Sequence, residues 1–267
     1  MVNISIIIPT YKREAELINC ISNIYDHIKN RNDIEVIVSN DALEKTINKF
    51  INNKYPKVSV INGPNIGPAA NRNYAAKQAK GDWLIFLDDD CLPQQNWLLS
   101  YELAIKNNTS LVLEGKTIAN TAKTRYDEVA PINLNGGKLW SCNFAIQKKL
   151  FFSLGGFDEN YPFSTMEDID FKERLKLITQ FQFIENSLVI HPWRRRIAFK
   201  NFKLRIQSQK YFAEKFKQKN TFQFKQKRIK IFVGSIFSNL KELAQYRFKG
   251  WLCYIDKMVF NFIMIFI

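Results

Sequence analysis

The sequence is 267 residues long, of which 46% are hydrophobic and 24% are charged. This is enough for one full domain with an ordinary core, with or without a short appendage, and the modest Gly and Pro content excludes a disordered chain. The four cysteines lie far apart, without the spacing of a zinc site, so we expect free buried thiols in a reducing compartment. The chain opens on an apolar run of strand length, which predicts a first strand and not a signal peptide.

The net charge of +14 is concentrated toward the end of the sequence. Residues 194–267 contain 18 Lys and Arg against 3 Asp and Glu, whereas residues 1–193 contain 21 against 22. We therefore predict a catalytic body over 1–193 and a basic, aromatic, mostly helical extension over 194–267. Such an extension suits an anionic surface, either phospholipid headgroups or nucleic acid.

Strand and helix patterns alternate through the first ninety or so residues. Short apolar runs predict strands, helical spacing predicts the segments between them, and Gly81 is expected to end the third helix. This order predicts an α/β fold with a doubly wound, mostly parallel sheet flanked by helices. The predicted strands are 4–8, 35–39, 58–61 and 83–87, and the predicted helices are 14–28, 43–51 and 69–80.

The pattern loosens after Gly115, and residues 116–140 support no firm prediction. Order returns with an apolar segment at 140–146 and a turn at 155–158. A helix is then expected from about Met166, followed by a last strand at 183–190. From Arg194 onward the chain is expected to be helical and basic.

Polar residues follow three of the predicted strands at their carboxyl ends. In doubly wound sheets, ligands bind beyond this edge, near a switch in strand order. The pattern therefore predicts a nucleotide pocket there. The three segments are Pro9-Thr10-Tyr11, Asn40-Asp41 and Asp88-Asp89-Asp90.

The acidic triplet at residues 88–90 directly follows an apolar strand. Alternation along an extended chain would place Asp88 and Asp90 on the same side, where both could serve one ion. A hard divalent cation such as Mg²⁺ or Mn²⁺ suits carboxylate and phosphate oxygens and would bridge the protein to a diphosphate. The alternative from the residues alone is a solvated acidic turn.

A second acidic cluster, Glu167-Asp168-Ile169-Asp170, opens a predicted helix. In its first turn, at the edge of the pocket, Asp168 could act as general base on an incoming hydroxyl. The alternative is structural, because Thr165 and Asp168 have the spacing of a capping box and acidic residues favour helix N-termini.

The two histidines have different predicted roles. His191 directly follows the last apolar strand, so it is either a third metal ligand or a polar strand end. His27 lies on the first predicted helix and is expected to be a surface or packing residue.

Taken in order, these segments resemble the inverting family 2 glycosyltransferases with the GT-A fold. The resemblance spans about residues 3–193 and is specific because the motifs keep the family's order and spacing. The motifs are Ser5-Ile6-Ile7-Ile8-Pro9-Thr10-Tyr11-Lys12-Arg13, Val36-Ile37-Val38-Ser39-Asn40-Asp41, Asn65-Ile66-Gly67-Pro68-Ala69-Ala70-Asn71-Arg72-Asn73, Gly81-Asp82-Trp83 with the triplet, Gly155-Gly156-Phe157-Asp158-Glu159 and Glu167-Asp168-Ile169-Asp170.

The resemblance implies a role for each matching residue. Asp168 matches the catalytic base, Asp41 would hydrogen-bond the base of the nucleotide, usually uracil, and His191 would complete the metal site. The implied cofactor is Mn²⁺ or Mg²⁺. The residues implied to bind the nucleotide-sugar donor are Pro9, Thr10, Tyr11, Arg13, Asp41, Arg72, Asp88 and Asp89; those implied for the metal are Asp88, Asp90 and His191; and those implied for the sugar or acceptor are Trp140, Asn143 and Glu167.

The implied reaction is a single displacement in which Asp168 takes the acceptor proton and the diphosphate leaves from the anomeric carbon. One position departs from the family pattern, because Asn40 stands where an acidic residue is usual. A neutral hydrogen-bonding residue can still hold the nucleotide base. Residues after Trp193 carry no family motif, so the acceptor, the donor sugar and the linkage stay open.

Two other functions compete with sugar transfer. A sugar nucleotidyltransferase would need a Gly-rich phosphate loop after the first strand, and residues 9–13 contain no glycine. A nucleic-acid-binding protein would use the basic extension, in which case binding should depend strongly on salt.

For the basic extension we favour an anionic membrane surface over nucleic acid. Apolar residues alternate with Lys and Arg, as in interfacial helices, and the nearly all-apolar segment 258–267 is too short to span a bilayer. We therefore expect a cytoplasmic protein, peripheral on the inner face of the cell membrane, with a saccharide or glycolipid acceptor. The alternating apolar residues are Ile197, Phe199, Phe202, Ile206 and Phe212.

Overall fold

In the computed structural model, which describes residues 3–44, 46–108, 110–164, 166–216 and 222–267, the chain divides into two units. The first takes in the chain up to Asn120, with Pro131–Glu159 and Glu167–Pro192. The second consists of Thr121–Ala130, Asn160–Met166 and Trp193–Ile267. The predicted boundary after residue 193 lies one residue from the last of these divisions, but the second unit also takes in two earlier segments.

Four parallel strands form one half of the sheet in the first unit, in the order β3-β2-β1-β4. All four were predicted from the sequence, and so were the three helices that connect them. The strands are β1 (Ile4–Thr10), β2 (Ile34–Asn40), β3 (Val58–Asn62) and β4 (Trp83–Leu87), and the helices are α1 (Glu14–Ile28), α2 (Thr46–Lys54) and α3 (Pro68–Gln78).

The third helix ends earlier than the sequence predicts. It stops at Gln78, and Ala79 already has an extended backbone, so Gly81 does not cap it. Gly81 instead lies where β4 approaches β1. A Cβ there would lie 2.7 Å from both the backbone nitrogen and Oγ of Ser5, and the Gly81 N–H donates to that Oγ at 2.8 Å. Glycine is therefore required by close backbone approach.

The other half of the sheet is mixed, with the order β4-β8-β6-β9-β5. Strand β8 is antiparallel to β4 and β6, β9 is parallel to β6, and β5 is antiparallel to β9. The eight-stranded sheet is thus mostly parallel, as predicted, with β8 and β5 reversed. The added strands are β5 (Leu92–Pro93), β6 (Val112–Ala119), β8 (Asn143–Gln147) and β9 (Gln182–His191), and the helices are α4 (Trp97–Lys106), α5 (Lys148–Ser153) and α6 (Glu167–Lys176).

Alternating side chains of the central strands pack into two separate hydrophobic cores. Ile6 and Ile8 of β1 pack in the cluster that contains the buried residues of α1 and α4, whereas Ile7 packs in the cluster of α3, α5 and α6. The second cluster is rich in aromatic rings, with Phe86 and Phe144 stacked at 4.9 Å between centroids. Burial on both faces explains why the sequence shows continuous apolar runs.

The second unit is mainly helical, as predicted for residues 194–267. It contains the two-stranded pair β7 (Glu128–Val129) and β10 (Arg194–Arg195), and the helices α7 (Phe202–Lys215), α8 (Phe222–Gln245) and α9 (Trp251–Ile263). Among the described residues, none of the helices combines the length and the apolar character needed to cross a membrane.

The apolar residues that alternate with Lys and Arg over 197–212 do not all lie on one helix. Ile197 and Phe199 precede α7, which begins at Phe202, and Phe212 is buried in the unit. The prediction that the chain is helical from Arg194 onward was wrong for its first residues, because Arg194–Arg195 form β10 and the backbone turns at 198–201, where Phe199 and Asn201 adopt positive φ angles. Burial of the cysteines agrees with the sequence, and all four are free thiols.

Candidate active site

The acidic triplet forms a turn beyond β4 and does not extend the strand. The strand ends at Leu87, and the backbone nitrogen of Cys91 donates to the Asp88 carbonyl at 3.1 Å. Strand alternation therefore does not apply to the triplet, and the binding of one ion by both Asp88 and Asp90 stays a prediction. Each of the three carboxylates has a different set of neighbours.

Asp89 ties the triplet to the end of β1. Its carboxylate accepts hydrogen bonds from Thr10 Oγ1 at 2.7 Å and from Arg13 Nη1 at 3.0 Å. Burial raises the pKa of Asp89 to about 6, although Arg13 and Thr10 act in the opposite direction. Only 2% of Asp89 is exposed, so its buried hydrogen bonds stabilise the turn. Donor binding by Asp89 stays a prediction.

Arg72 on α3 faces a group of acidic side chains. Its Nη2 lies 2.5 Å from Asp88 Oδ1, and the side chain is buried. Burial alone would lower the pKa of Arg72, but Asp88, Asp168 and Glu167 outweigh it, and the pKa lies above its ordinary value. The structure thus brings the triplet and the second acidic cluster to the same buried cation.

Asp168 has one oxygen held and the other without a partner. Its Oδ2 accepts hydrogen bonds from the backbone N and from Oγ of Ser141, both at 3.1 Å. Among the described residues, Oδ1 is buried and has no hydrogen-bond partner. Burial raises the pKa of Asp168, and Asp88 raises it further, whereas Arg72 and Ser141 lower it. The capping alternative involves Thr165, which lies outside the described residues.

Glu167 lies next to Asp168 and is buried at 7% exposure. Burial raises its pKa to about 7, with the charge of Asp168 acting in the same direction and that of Arg72 against it. Within the described part of the chain, Glu167 Oε2 has no hydrogen-bond partner. A carboxyl group of this kind is partly protonated near neutral pH, so it can donate as well as accept.

Asp90 and His191 come together at the carboxyl ends of β4 and β9. His191 Nε2 lies 3.4 Å from Asp90 Oδ1, and its Nδ1 lies 2.7 Å from the Pro192 carbonyl. Cys91 joins them, and one ligand atom from each of the three buried residues lies within 4.8 Å of the others. The predicted proximity of His191 to the triplet is therefore present.

Cys91 was missed as a possible ligand because it is not part of the acidic pattern. Its place follows from strand pairing: Leu92 of β5 pairs with Ile190 of β9, which sets Cys91 beside His191. A carboxylate, an imidazole and a thiol are ligands that transition-metal ions accept, so this donor set fits a metal ion. Asp88 belongs to the Arg72 pair and not to this group.

A cleft of about 510 Å³ opens beyond β1 and β2, on the side predicted for the nucleotide. Pro9 is buried in β1, whereas Tyr11 is 52% exposed just after it. The cleft is polar and open, which suits a nucleotide better than a buried apolar ligand. Its lining includes Thr10, Lys12, Arg13, Asn40, Ala42 and Glu44.

Asp41 and Asn40 both stabilise loops at this edge. The two carboxylate oxygens of Asp41 accept from the backbone nitrogens of Asn65, at 2.5 Å, and Gly67, at 3.1 Å. The Asn40 amide donates to Asn48 Oδ1 at 2.9 Å and accepts from the Ala42 nitrogen at 3.0 Å. The proposed contact of Asp41 with a nucleotide base stays a prediction.

The two predicted acceptor residues before α5 have protein partners. Trp140 Nε1 donates to the Ile132 carbonyl at 3.2 Å. Asn143 Oδ1 accepts from Trp97 Nε1 and Tyr101 OH, and its amide donates to the Lys116 and Ser187 carbonyls, all at 2.8–2.9 Å. These four bonds tie Asn143 into the sheet, and its contact with an acceptor stays a prediction.

Comparison with known proteins decides the family of this chain. Residues 5–156, more than half of the chain, match the model of glycosyl transferase family 2. The chain belongs to this family. The match covers Thr10, Arg72 and the triplet, while Asp168 and His191 of this family 2 chain lie beyond it.

Relatives of this family 2 chain include other glycosyltransferases. An uncharacterized glycosyltransferase of Haemophilus influenzae is 26% identical over 67% of this chain and 63% of its own length. A poly(ribitol-phosphate) beta-glucosyltransferase of Bacillus spizizenii is 29% identical over 48% of this chain and 22% of its own length. The chain thus spans less than two thirds of these relatives.

Solved structures show the same fold. Residues 1–349 of TarS from Staphylococcus aureus align with a TM-score of 0.58 at 22% identity, over 72% of this chain and 60% of that one. The mannosyltransferase PcManGT from Pyrobaculum calidifontis, solved with GDP-Man and Mn²⁺, aligns with a TM-score of 0.55 at 17% identity, over 77% and 60%. At these identities the likeness establishes the GT-A fold of this family 2 member.

Proposed function

We propose that the protein transfers a sugar from a nucleoside-diphosphate sugar to an acceptor hydroxyl, with inversion at the anomeric carbon and Asp168 as general base. This proposal rests on the hydrogen bonding of the two carboxylate oxygens of Asp168. One of its oxygens is fixed by Ser141, and the other is buried without a partner among the described residues. A carboxylate oxygen oriented in this way is suited to accept a proton from a bound hydroxyl.

The proposed reaction is a single displacement. Asp168 takes the proton of the acceptor hydroxyl, whose oxygen forms a bond to the anomeric carbon. The bond from that carbon to the diphosphate breaks at the same time, and the nucleoside diphosphate leaves with the electron pair. Burial raises the pKa of Asp168, which makes it a stronger base than an exposed carboxylate while Arg72 keeps the ionised form accessible.

Arg72 has a second proposed role on the donor. Asp88 holds its guanidinium through Nη2, while its Nε is buried with no partner in the described part of the chain. A fixed guanidinium stabilises negative charge that develops on a diphosphate oxygen. We assign Glu167, whose pKa is raised to about 7 by burial, to hydrogen bonding with the sugar or acceptor.

Asp90 and His191 are the residues that would hold a divalent metal ion. The imidazole favours Mn²⁺ over Mg²⁺, because Mg²⁺ prefers oxygen ligands alone. When bound, such an ion neutralises charge on the leaving diphosphate. Asp88 would then act on the donor mainly by holding Arg72.

The nucleotide is proposed to be uridine-linked and to lie in the cleft beyond β1 and β2. Structures of TarS with UDP and with UDP-GlcNAc support this choice by likeness of fold. In this chain, Thr10, Arg13 and Asn40 line the cleft, and Tyr11 stands exposed just after β1. Asp41, which directly follows β2, is proposed to hydrogen-bond the uracil.

The acceptor is proposed to be a saccharide or glycolipid in surface polysaccharide or glycolipid synthesis, at the inner face of the cell membrane. Relatives named as a poly(ribitol-phosphate) beta-glucosyltransferase and a chondroitin synthase support a polymer-type acceptor. The excess of basic over acidic residues after residue 193 supports the location.

The test is a screen of nucleotide sugars with Mn²⁺ or Mg²⁺, read as release of nucleoside diphosphate. We expect release from at least one UDP-sugar, lost on chelation and reduced at least a hundredfold in the variant Asp168→Asn. Release of pyrophosphate from a nucleoside triphosphate would instead identify a nucleotidyltransferase. Absence of transfer and hydrolysis with every donor, with the protein folded, would overturn the proposal.

A further inference from the structure

The outward face of α9 is entirely apolar. All residues of this helix are described, and its exposed positions are spaced three or four residues apart or adjacent, so that they share one side. Between 38% and 56% of each of these residues is exposed. They are Trp251, Leu252, Ile255, Val259 and Phe262, which we call the α9 face.

The charged residues of α9 point the other way. Asp256 is completely buried, and its carboxylate binds Arg196 at 2.9 Å and Arg205 at 2.8 Å. Lys257 donates to Asn239 Oδ1 at 2.7 Å. A helix that faces water normally shows its charged residues and buries its apolar ones. In α9 the two charged side chains bind partners within the unit instead, although the helix has a free surface.

Helix α8 adds apolar and basic residues to the same unit. Ile229, Val233, Phe237 and Leu240 are 42–70% exposed and are spaced three or four residues apart. The turn that joins the two helices exposes Phe248, at 56%, between two basic residues. Among the side chains that the structure describes, the exposed basic residues of α8 and this turn are Lys230, Lys241, Arg247 and Lys249.

The exposed charge of this unit is mostly positive. Of the 3 acidic residues after residue 193, Asp256 is buried between two arginines and Glu242 binds Lys123 at 2.6 Å. Only Glu214 is exposed among them. A partner of this unit is therefore expected to be both anionic and able to cover an uncharged apolar face.

We propose that the α9 face lies in one leaflet of an anionic lipid bilayer, with the helix parallel to the membrane surface. The apolar side chains would enter the acyl region, while Lys and Arg of α8 and the turn bind phosphate headgroups. At 13 residues α9 is about 20 Å long, too short to cross the bilayer core. The inference rests on the proposed membrane location and not on the donor or the catalytic base.

Charge favours a bilayer over the other possible occupants. A second copy of the chain would bring the same excess of basic residues against itself, which opposes close contact. Nucleic acid would match the basic residues but not a face without charge, because phosphates cannot be desolvated against it. Anionic lipid supplies both a charged and an apolar surface.

The test compares vesicle binding of two matched variants of the full chain. Ile255→Gln/Val259→Gln makes the α9 face polar without changing charge. Leu99→Gln/Leu103→Gln removes two equally spaced, exposed aliphatic side chains from α4, with 52% and 53% exposure. Sedimentation is measured with vesicles of phosphatidylcholine alone and of equal parts phosphatidylcholine and phosphatidylglycerol, with circular dichroism and urea unfolding as checks of folding.

We expect wild type and the α4 variant to bind the anionic vesicles equally, and the α9 variant to bind at least tenfold more weakly. Brominated lipids should quench tryptophan fluorescence of wild type more than that of Trp251→Phe. Equal binding by the α9 variant, or no binding by wild type, would overturn the proposal. So would a wild-type dimer that the α9 variant dissociates in the absence of lipid. None of these results depends on sugar transfer, so the two proposals fail separately.

Discussion

Ser141 holds one oxygen of Asp168 with both its backbone N–H and its hydroxyl, each at 3.1 Å. The two residues are 27 positions apart, and Ser141 belongs to the segment that leads into β8. Hydrogen bonds to a carboxylate fix its rotamer and favour its ionised form. The orientation and the basicity of Asp168 therefore depend on Ser141, which has no proposed part in the reaction itself.

Replacement of Asp168 by Asn should abolish transfer and spare donor binding. Asn has nearly the same shape but cannot take a proton, so kcat should fall at least a hundredfold. The dissociation constant of UDP, measured by calorimetry, should change by less than about threefold. Glu173→Gln on the same helix, which removes only a surface ion pair with Lys176, should keep full activity. Retained turnover in Asp168→Asn would show that Asp168 is not the general base.

Ser141→Ala should shift the acidic limb of the pH–rate profile to higher pH. Burial already raises the pKa of Asp168, so activity is lost as pH falls through that pKa, when the base becomes protonated. Loss of the Ser141 hydroxyl removes a hydrogen bond that favours the ionised form and should therefore raise the pKa of Asp168 further. Activity should recover at high pH, and Ser141→Thr, which keeps a hydroxyl, should resemble wild type. A uniform loss at every pH would contradict this.

His191→Gln should weaken the metal-dependent part of donor binding. The imidazole lies beside Asp90, and Gln offers no comparable ligand, so the affinity for Mn²⁺ in the presence of UDP should fall about tenfold or more. Calorimetry with and without chelator measures the difference. His27→Gln is the matched control, because His27 is exposed on α1. An unchanged affinity for Mn²⁺ would show that His191 is not a ligand of the metal ion.

Asn143→Ala should destabilise the protein more than it affects catalysis. The change leaves the buried Trp97 Nε1 and Tyr101 OH without their acceptor, which costs roughly 3 kcal/mol together with the lost packing. Urea unfolding measures the free energy. A fall in kcat/KM for the acceptor without a loss of stability would instead support direct contact between Asn143 and the acceptor.

The sequence was most informative where burial follows a local period. The strand 83–87 was predicted with the boundaries that the structure gives to β4, and α1 was predicted from apolar residues at helical spacing. The end of α3 was not predicted correctly. Gly81 was expected to cap the helix, but a glycine is needed there because the backbone passes close to Ser5. Local sequence carries no information about which distant backbone a glycine will meet.

The same difference between local patterns and distant contacts holds for the candidate site. Sequence alone indicated Asp168, His191 and the triplet, because acidic residues and a histidine at strand and helix ends are local patterns. Its alternation argument for Asp88 does not hold, since alternation applies only within a strand and β4 ends one residue earlier. It gave no sign of Ser141, whose role depends on a contact made only after folding.

By itself, the sequence determined the alternation of strands and helices, the positions of the acidic motifs and the separation of a neutral body from a basic end. Tertiary structure decided which side chains meet: Cys91 beside His191 through the pairing of β5 with β9, and Ser141 on Asp168. It also decided that α9 buries Asp256 and exposes an apolar face. Periodicity records how one element is buried, whereas contacts between elements depend on how the whole chain packs.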